Sequence, residues 1–407
     1  MKAGIILIIL LFAATGWIYA QRECNTFQYQ QQQIQSNSKL ASSVSALEKF
    51  TQQKVNEKKL QRIENSVITI PVVVHILYHF PDEKIGDDKV FSQLDLLNKC
   101  FRKLNSDTIN IPSAFKSLAA DCEVEFRLAT SDPDRNYTNG IIKKYTPVTK
   151  WTSDDAVKFT SEMGDDAWDP RSYLNIWVCN LKQFAGYSSL VNGPEKVDGI
   201  VIGFNAFGGL NKTIVHELGH WLNLKHIWGD DYCGDDLVND TPRQASFTPG
   251  CPASTRVTCG NGPDGDMFNN YMDFTNDACV NMFTNGQKTR MKVLFEPGGP
   301  RYSLLFSKGL SAPLTYILPV PESDPAWLEP KIYPNPAVNQ LYIDLSYDER
   351  WLGSTLQISN LYGKVVMQMI VSSKFQQITI SNLPPGIYFI AAKRKDGVSI
   401  KQKVVKL

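Results

Sequence analysis

The sequence predicts an α/β domain, a twisted and mostly parallel sheet backed by one helix and faced by a second that carries a histidine motif, then a small all-β sandwich. Three observations predict it. Runs rich in β-branched residues at 67–78, 124–129, 174–179 and 199–203 alternate with longer stretches, one with clear helical periodicity. A helix-period segment near position 216 holds three of the chain's five histidines. Beyond a Pro-rich stretch at 308–330 the pattern turns to short alternating runs broken by turns. At 407 residues the chain is long enough for two or three domains, and a net charge of +1 gives no reason to expect a nucleic-acid partner.

Residues 1–20 read as a secretory signal: Lys2, an apolar run from Ile5 to Ala14, and a cleavage site after Ala20. That run is short for a membrane span and no later segment is apolar enough, so no permanent span is expected and disulfides can form after export. Residues 21–65 are rich in Gln, Ser, Asn and Lys, with a helical repeat through Leu40, Val44, Leu47 and Phe50. This stretch is too polar for a core of its own and reads as a pro-segment. The main domain then runs over 66–307. Its first strand includes Ile70–Tyr78, and His75 and His79 there sit about 13 Å apart on a strand, too far to share an ion. Val90, Leu94, Leu97 and Phe101 recur with the period of the backing helix. Asn211 or Thr213 is the expected cap of the motif helix, whose Ile214, Leu218, Trp221 and Leu222 form the face that docks on the sheet. A Thr284-capped helix through Met291 and Leu294 closes the domain.

The motif is His216-Glu217-Leu218-Gly219-His220-Trp221-Leu222-Asn223-Leu224-Lys225-His226. On a helix His216 and His220 are about 400° apart in rotation and roughly 6 Å in rise, so both rings leave one face. Continued helix would put His226 about 240° from His220, so the chain must turn out. Asn223 suits that turn because Asn tolerates the left-handed conformation. Three neutral imidazoles with one open position describe a catalytic zinc site, and Glu217 is the candidate general base for a metal-activated water. Further on, Asn270-Tyr271-Met272-Asp273-Phe274 could turn a thioether beneath the ion. From Asp230 to Asp240 five aspartates fall in eleven positions, a crowd that is either solvated or shared by a hard cation. Cys233, Cys251, Cys259 and Cys279 lie in a loop-rich stretch where cross-links are expected, and their spacing leaves three pairings open.

Together these residues resemble the metzincin clan of zinc endopeptidases and, within it, the pappalysin family, over roughly residues 66–305. The resemblance implies a metzincin-like fold in which the last strand, at 199–203, is the sheet edge lining the cleft. It implies that Met272 is the Met-turn, that Cys233 pairs with Cys259 and Cys251 with Cys279, and that calcium is held by Asp235, Asp240 and Thr241. It further implies that Cys24, in Arg22-Glu23-Cys24-Asn25-Thr26, is a latency switch whose thiolate fills the open zinc position, and that Asp277 is the acid of a specificity pocket for Arg or Lys. Cys100, Cys122 and Cys179 are expected as buried thiols, with one extra disulfide open to them. Two residues depart from the family: Asn223 where Gly is usual, and Phe274 where a Tyr often supplies a hydroxyl to the oxyanion.

Residues 331–407 carry ten Lys and Arg against four Asp and Glu, about +6. Ile332-Tyr333-Pro334-Asn335-Pro336, Leu361-Tyr362-Gly363-Lys364, Leu383-Pro384-Pro385-Gly386-Ile387-Tyr388 and the Lys403–Leu407 end resemble the C-terminal sorting domain of bacterial type IX secretion. That resemblance implies the type IX machinery as a partner; a binding module for glycans or surfaces is the alternative. The expected function is a secreted zinc endopeptidase acting on proteins or peptides. A catalytically inactive zinc-bearing surface binding protein and a zinc hydrolase with non-peptide substrates are its rivals.

Overall fold

The computed structural model describes residues 24–57, 67–316, 329–345, 348–395 and 397–407. The expected signal segment, the first residues and the tail of the pro-segment, and the centre of the linker lie outside the described residues. The chain packs as two units, one from the chain up to Lys144 and from Lys150 to Ile317, the other from Tyr145–Thr149 and the residues beyond.

In the first unit the sheet order is β2 (Val124–Leu128), β1 (Ile68–Tyr78), β4 (Leu174–Cys179), β6 (Ile200–Gly203), β5 (Gly186–Ser188), and β3 (Ile141–Tyr145) also pairs with β1. β1 with β2, β1 with β4 and β4 with β6 are parallel; β5 runs antiparallel to β6. Every residue of β4 and β6 is buried, as the unbroken apolar runs of a sheet covered on both faces require. The backing helix α3 (Asp87–Phe101) buries Val90, Leu94, Leu97 and Phe101 at the predicted period. The expected edge strand is corrected here: residues 199–203 form an inner strand, and the edge is Gly186–Ser188. Three residues, Gly-Tyr-Ser, are too few for an alternation to register, which hid this strand in the sequence.

The pro-segment folds as α1 (Thr26–Ser36) and α2 (Ser38–Asn56), α2 burying Leu47 and Thr51. The motif helix α4 spans Thr213–Trp221, and all nine residues are buried. Its N-cap is Lys212 rather than Asn211 or Thr213; Asn211 still contributes, its Oδ1 accepting from the Thr213 N–H at 2.9 Å. Helix α5 (Asn285–Val293) starts with a capping box between Thr284 and Gln287. Cys233 is bonded to Cys259 and Cys251 to Cys279, while Cys24, Cys100, Cys122 and Cys179 are buried free thiols. Residues 308–316, expected as the head of the linker, are pinned instead: Thr130 and Ser131 N–H donate to Gly309 O, and Tyr137 N–H donates to Thr315 O. A Pro-rich stretch without periodicity reads the same whether free or held by its backbone.

The second unit has two antiparallel sheets. One has the order β10 (Val365–Ile370), β9 (Thr355–Asn360), β12 (Gly386–Lys393), β13 (Ser399–Lys406), and the other β11 (Phe375–Thr379), β8 (Gln340–Asp344), β7 (Lys331–Tyr333). Alternate residues from both, among them Ile332, Leu341, Ile343, Ile358, Ile378, Ile390 and Val404, share one core, which makes the module a sandwich.

Candidate metal centre

Helix α4 ends because the chain turns left-handed at Asn223, φ 69°. Leu224 N–H donates back to Gly219 O at 2.9 Å, closing the last turn and bringing His226 under the His216–His220 face. Each ring is held from behind. His216 Nδ1 donates to Tyr271 O at 2.7 Å, His220 Nδ1 to Leu224 O at 2.8 Å, and His226 Nδ1 to Asp230. A carbonyl or carboxylate can only accept, so each Nδ1 carries a proton and, in the neutral ring, Nε2 is the nitrogen with the lone pair.

Those Nε2 atoms meet, His220 lying 3.1 Å from His216 and 3.1 Å from His226. Burial pushes the His220 imidazole down to about 3, so it does not take a proton to bridge them. Three lone pairs facing one point with no hydrogen between them repel, and a shared cation turns that repulsion into coordination. Cys24 completes the group: its Sγ and the three histidine nitrogens all lie within 4.8 Å of one another. Among the described residues this is the one set of three or more His, Cys, Asp or Glu with that geometry. Without a cation, burial and the Glu217 carboxylate push the Cys24 thiol far above its usual range, whereas a dication at the centre favours the thiolate. The donors therefore fit zinc with a fourth, thiolate ligand from the pro-segment.

Glu217 is fully buried beside the edge strand; a Cβ on Gly186 would come 3.1 Å from its Cγ. Its Oε2 accepts from Thr26 Oγ1 at 2.7 Å, and the same hydroxyl accepts from Ser188 N–H at 2.8 Å. Asn25 N–H donates to Gly186 O at 3.0 Å, so the pro-segment lies along β5 as a parallel bridge. Met272 is fully buried with its sulfur against Gly219 of α4, its N–H held by Asn270 Oδ1 at 2.9 Å. The Phe274 ring lies 5.5 Å from the His216 ring and 4.8 Å from that of His226, within an aromatic group that includes Trp228 and Phe247.

The remaining predicted residues are engaged elsewhere. Asp235 pairs with Arg243, Asp240 accepts from Thr284 Oγ1 and Gly286 N–H at the start of α5, and Thr241 donates to Asp236. Asp277 Oδ2 accepts from Lys212 N–H at 3.0 Å, at the N-terminal end of α4. His75 is a core residue on Asp165 and Asn175. Sequence reasoning missed Asp230, Gly186–Ser188 and Thr26. Only Asp230 left a signal, an acid four residues beyond a candidate ligand, and the reading of the whole acidic run hid it.

The peptidase M43 family model, described as pregnancy-associated plasma protein-A, matches residues 158–296, and the secretion system C-terminal sorting domain matches residues 331–406. Mature mirolysin of Tannerella forsythia, solved with a cleaved peptide, is 42% identical, with TM-score 0.58 over 59% of this chain and 96% of that one. A promirolysin mutant from the same organism is 38% identical, with TM-score 0.65 over 70% of this chain and 97% of that one. An extracellular metalloprotease of Pyricularia oryzae is 40% identical over 116 residues, 26% of this chain. Of that relative and of one from Verticillium alfalfae the chain spans 41% and 42% of the length. With 97% of a 38%-identical solved zymogen covered and the histidine cluster in place, the chain belongs to the pappalysin family of metzincin metallopeptidases and ends in a secretion system sorting domain.

Proposed function

We propose that the protein is a secreted zinc endopeptidase made as a latent precursor. The observation that carries this reading is the convergence of three histidine Nε2 atoms next to a buried glutamate beside the edge strand. His216, His220 and His226 would hold zinc, which when bound would supply Lewis-acid polarisation of a water and of the scissile carbonyl. Glu217 takes the proton from the attacking water and returns it to the departing amine. The Gly186–Ser188 edge, which already pairs with Asn25 and Thr26, offers backbone groups to a peptide by strand addition. Phe274 has no hydroxyl to give an oxyanion; its ring covers His216 and His226.

In the precursor Cys24 takes the fourth ligand position and Thr26 occupies Glu217, so both the open site and the base are blocked. Cys24→Ala precursor is expected to cleave substrate before processing; full latency in that variant overturns the switch. Incubating processed protein with casein and a peptide library, with and without Glu217→Ala, tests the chemistry. The variant is expected to lose roughly 10²–10⁴-fold in kcat/KM. Equal cleavage by both overturns Glu217 as the base, and no cleavage by the wild type favours the inactive binding protein.

Family resemblance alone supports three further readings. Calcium at Asp235, Asp240 and Thr241 predicts that chelating calcium at constant zinc lowers stability and protease resistance. Asp277 as the specificity acid predicts that Asp277→Asn weakens a preference for Arg or Lys after the cut. Sorting through the C-terminal module predicts that deleting residues 331–407 leaves activity intact and traps the protein in the periplasm. An unchanged result in any of these removes that reading.

A further inference from the structure

Beyond Thr26 the pro-segment sends one more side chain deep into the catalytic unit. Tyr29 of α1 is 2% exposed, although the helix that carries it is polar. Its ring lies 4.8 Å from that of Tyr187, the middle residue of β5, and Lys158 Nζ sits 5.5 Å from its centroid. Its hydroxyl donates to Asp155 Oδ2 at 2.7 Å, and the Gln33 amide bonds both that hydroxyl and that carboxylate, at 2.9 and 3.0 Å. The pocket walls belong to the catalytic unit. Lys158 is fully buried, paired with Asp155 at 2.8 Å and with Val197 O at 2.7 Å, and its ammonium also faces the rings of Trp177 and Tyr187 at 5.4 and 5.0 Å.

When the pro-segment leaves, these walls remain, because Trp177 and Tyr187 are strand residues and buried Lys158 stays bonded to Asp155 and to Val197 O. What they enclose then is a space of phenol size beside a carboxylate that has lost two donors. Gly186 and Ser188 on either side of Tyr187 are the residues whose backbone groups meet Asn25 and Thr26. The Gly186 Cα faces Glu217, so in the alternation of a strand Tyr187 faces the other way.

We propose that in the processed enzyme this pocket is a subsite for a tyrosine side chain of the peptide substrate, projecting from the β5 edge over Tyr187, with Asp155 accepting its phenol hydroxyl. The assignment rests on the endopeptidase reading. Phenylalanine fits the walls but brings no hydroxyl to Asp155 Oδ2, the oxygen Tyr29 occupies. A lysine or arginine meets the Lys158 ammonium, and an acid meets the Asp155 carboxylate.

The test starts from full-length precursor, zinc-loaded and processed to remove the pro-segment. A labelled parent peptide is made with Tyr, Phe, Ala or Lys at each position in turn. Binding is read by fluorescence anisotropy on the Glu217→Ala protein and cleavage on the wild type. At one position Tyr is expected to bind about tenfold tighter than Phe, and more than tenfold tighter than Ala or Lys. A synthetic peptide of residues 24–36 with Cys24→Ser is expected to compete with the tyrosine peptide, and its Tyr29→Ala form to compete at least tenfold less well. Equal binding of the four peptides at every position overturns the subsite whether or not cleavage is seen. Tyrosine-selective binding without cleavage by the wild type overturns the endopeptidase reading and keeps the pocket. The peptide series needs no variant of the pocket, so no folding defect can obscure it.

Discussion

Gly219→Ala probes the contact between the motif helix and the methionine beneath it. A Cβ at position 219 would stand 2.3 Å from Met272 Sδ, 3.3 Å from its Cε and 3.6 Å from Leu224 Cδ1. Non-bonded atoms of this size rest near 3.5–4.0 Å, so helix and sulfur must part by more than about 1 Å. Met272 is fully buried, and its backbone is held by Asn270 and by Ile227 N–H on its carbonyl, so the sulfur can move only into packed core. Overpacking of this kind costs about 1–3 kcal/mol, while replacing a mid-helix glycine by alanine returns about 1 kcal/mol. Net destabilisation is therefore at most about 2 kcal/mol. Zinc affinity is expected to fall further, by roughly 10–100-fold, because His216 and His220 ride on the displaced helix. Urea unfolding and competition with a chromogenic chelator measure the two. Met272→Ala removes the clash, so in the double variant the Gly219→Ala penalty should vanish, a coupling of at least about 1 kcal/mol. Wild-type zinc affinity in Gly219→Ala, or strict additivity with Met272→Ala, would refute the argument.

Three other outcomes follow. Burial raises the Asp236 carboxyl to about 7, against the lowering effect of its bonds from Thr241 and Val238. A carboxyl whose folded value is raised favours the fold below its unfolded value near 4, and that contribution is lost as pH climbs to about 7, at most roughly 4 kcal/mol. Asp236→Asn should flatten the fall in stability between pH 4.5 and 7.5, and an unchanged slope rejects the assignment. Glu48 of α2 makes a two-pronged pair with Arg290, whose Nε donates to Asn223 O at 2.7 Å. Glu48→Gln should loosen the pro-segment by about 1–3 kcal/mol, read as faster activation by added trypsin, since Arg290 is left buried without its charge partner. Removing zinc from processed protein with 1,10-phenanthroline should lower Tm and abolish cleavage, and added zinc should restore both; activity that survives chelation contradicts the histidine site.

The sequence exposed the parts of the site that depend on local geometry. His216, His220, Asn223 and His226 lie within eleven residues, where helical rise and one left-handed turn decide where the rings go. Long apolar runs such as Ile68–Tyr78 and Leu174–Cys179 disclosed the inner sheet for the same reason. What stayed hidden depends on distant partners. The edge strand is three residues long and is defined by Val201 and its neighbours, not by a pattern of its own. Helix α1, TFQYQQQQIQS, has almost no apolar stripe, and its place is set by Thr26 and Tyr29 gripping another part of the chain. The acidic loop reads as a cation cluster in one dimension, yet Asp230, Asp235 and Asp240 each answer a different protein donor.

The two disulfides interleave, Cys251 lying inside the loop closed by Cys233 and Cys259, and Cys259 inside the loop closed by Cys251 and Cys279. The second loop contains Met272 and Tyr271, whose carbonyl orients His216. Glutathione and thioredoxin keep such thiols apart in a cytosol. The floor of the metal site is thus cross-linked only in an oxidising compartment. On the latent-precursor reading proposed above, oxidation is a second safeguard beside the pro-segment.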